Sequence, residues 1–313
     1  MKQANLTQFM SSLIVQMEEE GRWSTARIYS AALHAVTSFV GGGEVFFGAL
    51  SIPWLNRLEN YLRSRQLQWN TVSTYLRMLR ATYNRAVVLK LTYHIPGLFD
   101  KVYTGVKRER KLALSAQMMH SLLYAPPRQP LPPAVAESRE QLRIMFEFQG
   151  IPFVDLIHLH RSDLDTRKRL LTCHRQKTGT SLTIDLTPSM MKWIEEHSTS
   201  PESASPYLLN ILSGTATGIE DYEEHQHSLR QFNRNLQKLA RIQGIKVRIT
   251  SYTARHTWAT LAKYCNIPEG LICDALGHTS VKTTETYLKS FDNDSLKRAN
   301  SKVIGTVKRA VTL

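Results

Sequence analysis

Apolar residues recur at helical spacing along most of this 313-residue chain, and that period constrains its fold more than any other feature. In the first hundred residues it predicts four short helices with breaks between them. Val72, Leu76 and Leu79, for example, share one apolar stripe. Arg77 lies off that stripe. We therefore expect a small helical bundle in the N-terminal third of the chain.

One segment breaks the helical period. The run LLTCHRQKTGTSLTIDL, residues 170–186, places Thr, Leu and Ile on both sides of a Gly-containing turn. Two short β-strands joined by that turn fit this composition, with Lys177 near the tip. Helices are expected again over most of residues 187–313. The expected fold is thus mainly α with a small β-hairpin or sheet.

The chain is long enough for two domains that each bury a core. Periodicity fades after Pro96, and a basic run follows. We therefore expect a helical domain over residues 1–106, a basic linker over 107–114 and an α-rich second domain over 115–313. After Tyr287 apolar residues again recur at roughly helical spacing, which predicts a helical tail.

The net charge favours a polyanionic partner. The chain has 40 Lys and Arg residues against 26 Asp and Glu, which gives a formal charge of +14 spread over both halves. Such an excess is typical of DNA-binding proteins, although it also occurs on basic surfaces that are simply solvated. The candidate DNA-binding residues lie on the fourth helix, the linker and the hairpin: Arg77, Arg80, Arg85, Lys107, Arg108 and Arg175.

Cysteine usage and hydropathy indicate the compartment. Cys173, Cys265 and Cys273 show no CxxC spacing, and an odd count fits a reducing compartment better than a disulfide framework. The N-terminus has acidic residues where a signal peptide needs its cleavage region, and no run of about 18 apolar residues occurs. The sequence predicts a cytoplasmic protein without a metal site, a cofactor or a membrane partner.

The stretch from Tyr252 to Tyr287 concentrates residues that can do chemistry. Arg255 opens a helix, His278 follows a Leu-Gly turn, and Tyr287 stands nine residues after His278. Breaking a phosphodiester with a side-chain hydroxyl requires a nucleophile, donors for the non-bridging oxygens and an acid for the leaving 5′-oxygen. Phenol, guanidinium, imidazole and the ammonium of Lys177 can fill these roles. Singly, each also has a structural explanation, such as His278 as a helix-end partner.

In combination these residues resemble the tyrosine recombinase, or phage integrase, family, particularly its Bacteroides-type integrases and invertases. The resemblance covers the whole chain, and its motifs are Arg255-His256-Thr257, Leu276-Gly277-His278, Tyr287 and the RQKTG run at 175–179. It implies an N-terminal helical core-binding domain of the SAM-like type and an α-rich catalytic domain, which clamp duplex DNA from opposite sides.

The resemblance also implies a role for each residue. Tyr287 would attack the phosphorus and hold the 3′-phosphate as an ester, and Arg255 would grip the phosphate. His278 would donate to the phosphate or orient the nucleophile, and Lys177 would protonate the leaving oxygen. No metal or ATP is required in this scheme.

A site-specific DNA recombinase of this kind would align paired recombination sites as a homo-tetramer and exchange strands through a Holliday junction. Free protein could be a monomer, and accessory DNA-bending proteins could assist on the bacterial nucleoid. No arm-binding segment precedes the first domain, so inversion or resolution is favoured over arm-dependent phage integration, with integration of a mobile element still open. The tail after Tyr287 would dock on a neighbouring protomer, the alternative being packing on its own domain.

Two positions depart from the family pattern. The family's first arginine follows a Gly-aliphatic pair, where this chain has Pro152, and Gln149 occupies the alternative place before the glycine. One guanidinium is therefore missing, and Arg161 and Arg175 are the candidates to supply it. At the second position Tyr252 replaces the usual His or Lys. A phenol with a pKa of about 10 is a poor base at neutral pH, so its expected role is positional.

Two other functions stay open on the sequence alone. A type IB topoisomerase-like enzyme shares the nicking and resealing chemistry but relaxes DNA as a monomer. A catalytically weakened DNA-binding protein would keep the fold and bind duplex DNA without cleaving it.

Overall fold

The computed structural model describes residues 4–107, 113–200 and 202–287, together with Asn300, Ser301 and Ile304. The side chains of Thr286 and Tyr287 are outside this description. The chain divides into two compact units, Met1–Glu109 and Arg110–Leu313.

The first unit is a bundle of α-helices. Its helices are α1 (Leu6–Glu19), α2 (Trp23–Phe39), α3 (Ile52–Ser64) and α4 (Trp69–Val88), with a 3-10 turn at Phe47–Ala49. The predicted apolar stripe of α4 is buried, including Val72, Leu76 and Leu79. Asn5 and Ser51 accept N–H groups of the first turns of α1 and α3 and so fix where these helices begin.

The second unit surrounds a small sheet with helices. Its elements are α5 (Ala116–Leu123), α6 (Pro133–Glu147), α7 (Phe153–Ile157), a 3-10 turn at Arg161–Asp163, β1 (Leu164–Asp165), β2 (Leu170–His174), β3 (Ser181–Asp185), α8 (Pro188–His197), α9 (Ile219–Ile242), α10 (Ser251–Tyr264), α11 (Glu269–Leu276) and α12 (Val281–Tyr287). The mainly α fold with a small hairpin is confirmed.

The hairpin is part of a three-stranded antiparallel sheet in the order β1-β2-β3. Leu171 pairs with Ile184 and Cys173 with Leu182, and all four side chains are buried in the core of this unit. The alternate residues of β3 are exposed. One face of the hairpin therefore packs on the helices, which fixes the register of its strands and the position of the turn between them.

Leu114 lies within the expected linker range but belongs to the core of the second unit. Its side chain is 6% exposed, and its N–H donates to Thr257 Oγ1 at 3.1 Å. Within the described ranges, each helix is too short or too polar to cross a lipid bilayer. The tail expected after Tyr287 lies outside the described residues, apart from three isolated positions.

Candidate active site

Arg255 is the buried centre of the candidate site. It lies in the second turn of α10, and its side chain is 1% exposed. Nη1 donates to the Gly150 carbonyl at 3.1 Å, and Nη2 donates to the Leu276 carbonyl. A guanidinium held by backbone carbonyls from two other segments has little rotational freedom. Its orientation is therefore set before any substrate arrives.

Gly150 brings the chain after α6 against this arginine. Gln149 and Gly150 have φ values of +56° and +72°, which turn the backbone sharply. A Cβ atom on Gly150 would lie 2.9 Å from Arg255 Cα, closer than real contacts allow. A glycine is therefore needed for the close approach that makes its carbonyl an acceptor for Arg255.

The Leu276 carbonyl is available because α11 ends in a left-handed glycine. Gly277 has φ +61°, its N–H bonds to the Asp274 carbonyl at 2.9 Å, and the His278 N–H bonds to the Cys273 carbonyl at 3.0 Å. The last-turn carbonyl of Leu276 then has no helical donor and sits at the negative end of the helix dipole. It accepts from Arg255 and, at 2.5 Å, from Arg175 Nη1.

Arg175 comes from the hairpin and is held by a buried carboxylate. Its Nε lies 2.6 Å from Asp155 Oδ2, and the two side chains are 9% and 1% exposed. The other oxygen of Asp155 accepts the Gln176 N–H at 3.0 Å. Burial raises the pKa of the Asp155 carboxyl, against the opposing effects of that N–H and of Arg175. The hairpin is thus fixed to α7 at one point by an ion pair and a backbone hydrogen bond.

His278 bridges Arg255 and α12. Its Nε2 lies 3.0 Å from Arg255 Nη2, and its Nδ1 lies 2.9 Å from Thr284 Oγ1. Because a guanidinium only donates, Nε2 must be the acceptor, and the imidazole proton is placed on Nδ1. Burial, followed by the positive charges of Arg255 and Arg175, lowers the pKa of His278 to about 4. The imidazole is therefore neutral at pH 7.

The same bond ties α12 to the cluster. Thr284 is fully buried, and Tyr287 ends α12 three residues later, so about one helical turn separates the two positions. The predicted nucleophile therefore belongs to an element that His278 holds in place. Its own side chain lies outside the described part of the chain.

Lys177 and Tyr252 lie outside the buried cluster. Lys177 is exposed in the hairpin turn, where the N–H groups of Thr178 and Gly179 bond to the Arg175 carbonyl at 3.3 and 2.8 Å. Tyr252 is 50% exposed on the first turn of α10, and its ring centroid lies 6.0 Å from that of His256. Both side chains are accessible to a large ligand from solution.

The remaining predicted DNA-binding residues lie in the first unit. Arg77, Arg80 and Arg85 are exposed on α4. Lys107 is exposed too, and Asn70 at the start of α4 bonds both its N–H (2.8 Å) and its carbonyl (3.0 Å). Arg108 lies outside the described residues.

Of the two arginines considered as replacements for the missing one, Arg175 lies in the cluster. Arg161 instead donates to the carbonyls of Ser200 and Ser203, at 2.6 and 3.3 Å. Two further residues of the cluster, Asp155 and Thr284, are not predicted by the sequence patterns. Asp155 stands about one helical turn after Pro152, and that spacing is the sequence signal by which it could have been found.

The described residues contain no group of three or more His, Cys, Asp or Glu side chains arranged to hold a metal ion. What the cluster does offer is two guanidinium groups around one carbonyl, a carboxylate and a neutral imidazole. Such a set binds and orients an anion with several acceptor oxygens, of which a phosphate is the obvious example.

Comparison with family models gives matches to both units. The model described as "Phage integrase family" matches residues 114–294, and the model described as "Phage integrase SAM-like domain" matches residues 5–96. The first of these covers more than half of the 313-residue chain.

Two curated relatives are tyrosine recombinases. Tyrosine recombinase XerC of Chlamydia caviae is 26% identical over 149 residues, which are 46% of this chain and 44% of that protein. Tyrosine recombinase XerA of Pyrococcus furiosus is 26% identical over 168 residues, or 52% and 55% of the two chains. The chain thus spans about half the length of the curated relatives it matches.

Solved structures share the fold. The Tn1549 transposon integrase in complex with a circular intermediate DNA has a TM-score of 0.66 at 13% identity, covering 96% of this chain and 99% of that one. A lambda integrase tetramer bound to a Holliday junction has a TM-score of 0.66 at 13% identity, with 93% and 80% covered.

Proposed function

Since this chain belongs to the phage integrase family, we propose that it is a site-specific DNA recombinase that cleaves and rejoins duplex DNA through a phosphotyrosyl intermediate. The curated relatives are tyrosine recombinases, which supports the same activity here.

The observation that carries the proposal is the arrangement around Arg255. Helix ends and turns distant in sequence bring His278 within 3.0 Å of its guanidinium, and His278 in turn bonds the helix that ends at Tyr287. A buried arginine oriented by carbonyls is suited to grip a phosphate, and the adjacent helix is suited to deliver a nucleophile.

In the proposed cleavage step, the Tyr287 phenolic oxygen attacks the phosphorus and the bond to the 5′-oxygen breaks. The phenolic proton passes to solvent, and Lys177 on the exposed hairpin turn gives a proton to the leaving 5′-oxygen. Arg255 neutralises charge on the non-bridging oxygens. The new ester keeps the bond energy, so a 5′-hydroxyl of another strand can reverse the step without ATP.

His278 has a narrower role in this proposal than direct donation to the phosphate. Its Nε2 accepts from Arg255 and its proton faces Thr284, so in this arrangement it orients the guanidinium and the nucleophile helix. Tyr252, half exposed at the start of α10, would serve as a positional contact to the DNA backbone.

The first unit would act as the core-binding domain. Exposed arginines on α4 and exposed Lys107 offer phosphate contacts, and Arg108 would extend them. We further propose a homo-tetramer on paired sites that acts on the bacterial nucleoid in the cytoplasm. The solved tetramer of lambda integrase on a Holliday junction supports this assembly.

The decisive experiment traps the covalent intermediate. A duplex selected by the full chain from a randomised pool is nicked next to the cleavage position, so that a short fragment diffuses away after attack. We expect the wild-type chain to accumulate a protein–DNA adduct resolved by denaturing electrophoresis and Tyr287→Phe to form none, because phenylalanine lacks the nucleophilic oxygen.

Alternative outcomes separate the other functions. Specific binding without an adduct from the wild-type chain would identify a DNA-binding protein that does not cleave. Relaxation of supercoiled plasmid without site preference and without protein–protein assembly would identify a topoisomerase-like enzyme.

A further inference from the structure

Two arginines from different elements converge on one oxygen. Arg255 Nη2 and Arg175 Nη1 both donate to the Leu276 carbonyl. Their guanidinium groups are therefore neighbours in a buried environment, where like charges repel strongly. Asp155, 2.6 Å from Arg175 Nε, offsets part of this repulsion, and an anion bound to both guanidinium groups would offset the rest.

The contacts of Arg175 fix its orientation and leave one edge unused. Nε pairs with Asp155 at 2.6 Å and Nη1 with Leu276 at 2.5 Å. For Nη2, the described residues provide no acceptor. The side chain is 9% exposed, so this remaining donor sits at the edge of the buried cluster. A guanidinium that is held at two nitrogens, with the N–H groups of the third unused, is pre-organised to bind an incoming oxygen.

The segment that lacks the family's first arginine is the one that holds Arg175. Pro152 occupies the expected position, and Asp155, about one helical turn later, anchors the hairpin arginine. The Gly150 carbonyl in the same segment orients Arg255. Arg161 is occupied elsewhere by the Ser200 and Ser203 carbonyls.

We propose that Arg175 is a catalytic residue that takes over the phosphate contact of the missing arginine. Its Nη2 donates to a non-bridging oxygen of the scissile phosphate beside Arg255, while Asp155 and Leu276 hold the other two nitrogens. This inference rests on the proposed recombinase function. Burial, and after it the positive charges of both guanidinium groups, lower the pKa of the neighbouring His278.

The test changes the charge of the enzyme and of the substrate independently. Adduct formation is timed for the wild type, Arg175→Ala and Arg175→Lys on two nicked duplexes, one with the normal scissile phosphate and one with a methylphosphonate there. The methylphosphonate replaces a charged oxygen by methyl. Arg143→Ala is the matched control, because Arg143 is also an ion-paired, mostly buried arginine of this unit, bonded to Glu140 and Glu147.

On the phosphodiester we expect Arg175→Ala to be slower by roughly a hundredfold to a thousandfold. On the methylphosphonate diastereomer whose methyl group replaces the oxygen that Arg175 would contact, its rate should stay within about threefold of wild type, since that oxygen and its charge are absent. Arg143→Ala should match wild type on both duplexes. Arg175→Lys keeps a cation for Asp155 and should fold as wild type does. Its rate of adduct formation on the phosphodiester should fall less than that of Arg175→Ala, and this loss should likewise disappear on the methylphosphonate.

Equal slowing of Arg175→Ala and Arg175→Lys on both duplexes would overturn the proposal, because it would show a structural role. Unimpaired cleavage of the phosphodiester would overturn it as well.

Absence of any adduct from the wild type would instead count against the proposed function. In that case the phosphate contact is judged by binding of the selected duplex to Tyr287→Phe protein with and without Arg175→Ala. The slope of log affinity against log salt should fall by about one, and an unchanged slope would reject the contact.

Discussion

At the residue scale, His278 can accept a hydrogen bond from Arg255 only while its imidazole is neutral. His278 Nε2 accepts a hydrogen bond from Arg255, and its Nδ1–H donates one to the Thr284 hydroxyl oxygen. Protonation would put a third positive charge beside Arg255 and Arg175 and remove that acceptor. The histidine is therefore a positioning residue in the free protein, and the low pKa is the consequence of its burial and its neighbours.

This pKa predicts a loss of stability in mild acid. A histidine with a folded pKa of about 4 and an ordinary unfolded value binds more protons when unfolded, so stability falls as the pH drops through the ordinary histidine range toward pH 4. Between pH 7 and pH 5 the wild type should lose about 2 kcal/mol more than His278→Asn. Urea denaturation of both proteins at the two pH values measures the difference. Equal losses would contradict the neutral assignment.

At the element scale, the end of α11 and the hairpin depend on each other. Gly277 allows the left-handed turn that presents the Leu276 carbonyl, and the hairpin packs against the same glycine. A Cβ there would lie 3.0 Å from Leu182 Cδ2 and 3.1 Å from Arg175 Cγ. One residue thus positions a helix end, a strand residue and the second arginine.

Gly277→Ala should therefore lower the free energy of unfolding by more than the strain of its left-handed backbone alone. Gly179→Ala is the matched control, since Gly179 also has a positive φ (+67°) but nothing within 4 Å of its added Cβ. Both variants should lose about 1 kcal/mol from the left-handed backbone, and Gly277→Ala about 1 kcal/mol or more in addition from crowding. Thermal denaturation compares them. Equal destabilisation would show that the hairpin moves away from the added methyl group without loss of stability.

At the scale of the whole molecule, the candidate site and the exposed basic residues of α4 belong to different units. The described polar groups of the candidate site come from the second unit, whereas the exposed basic face of α4 belongs to the first. Because phosphate contacts set affinity without selecting sequence, the α4 face is expected to strengthen binding to any duplex.

Removing Arg77, Arg80 and Arg85 together tests that expectation. We expect the triple alanine variant to bind selected and random duplexes more weakly by a similar factor, with a salt slope reduced by about one for each phosphate that is no longer neutralised. A variant with alanine at Arg27, Arg57 and Arg65, exposed residues of α2, of α3 and of the C-terminal cap of α3, removes the same charge elsewhere. If both variants weaken binding equally, general charge rather than α4 accounts for the effect. Filter binding or fluorescence anisotropy over a salt series provides the measurement.

Local patterns in the sequence were enough to predict the elements. The helical period placed the four helices of the first unit, and the Thr-rich run predicted β2 and β3. The two-residue strand β1 and the five-residue helix α7 were missed, because segments so short carry no readable period. The same limitation hid Asp155, which lies inside α7.

The sequence by itself therefore determined the fold class, the family motifs and the residue types available for phosphoryl chemistry, since these depend on local period and spacing. The tertiary structure decided that Arg175, and not Arg161, lies in the cluster, and that the imidazole proton of His278 is on Nδ1. Both depend on contacts between segments far apart in the chain, such as Arg175 with Leu276 and Arg255 with Gly150. No local pattern encodes such contacts, because packing alone brings these groups together.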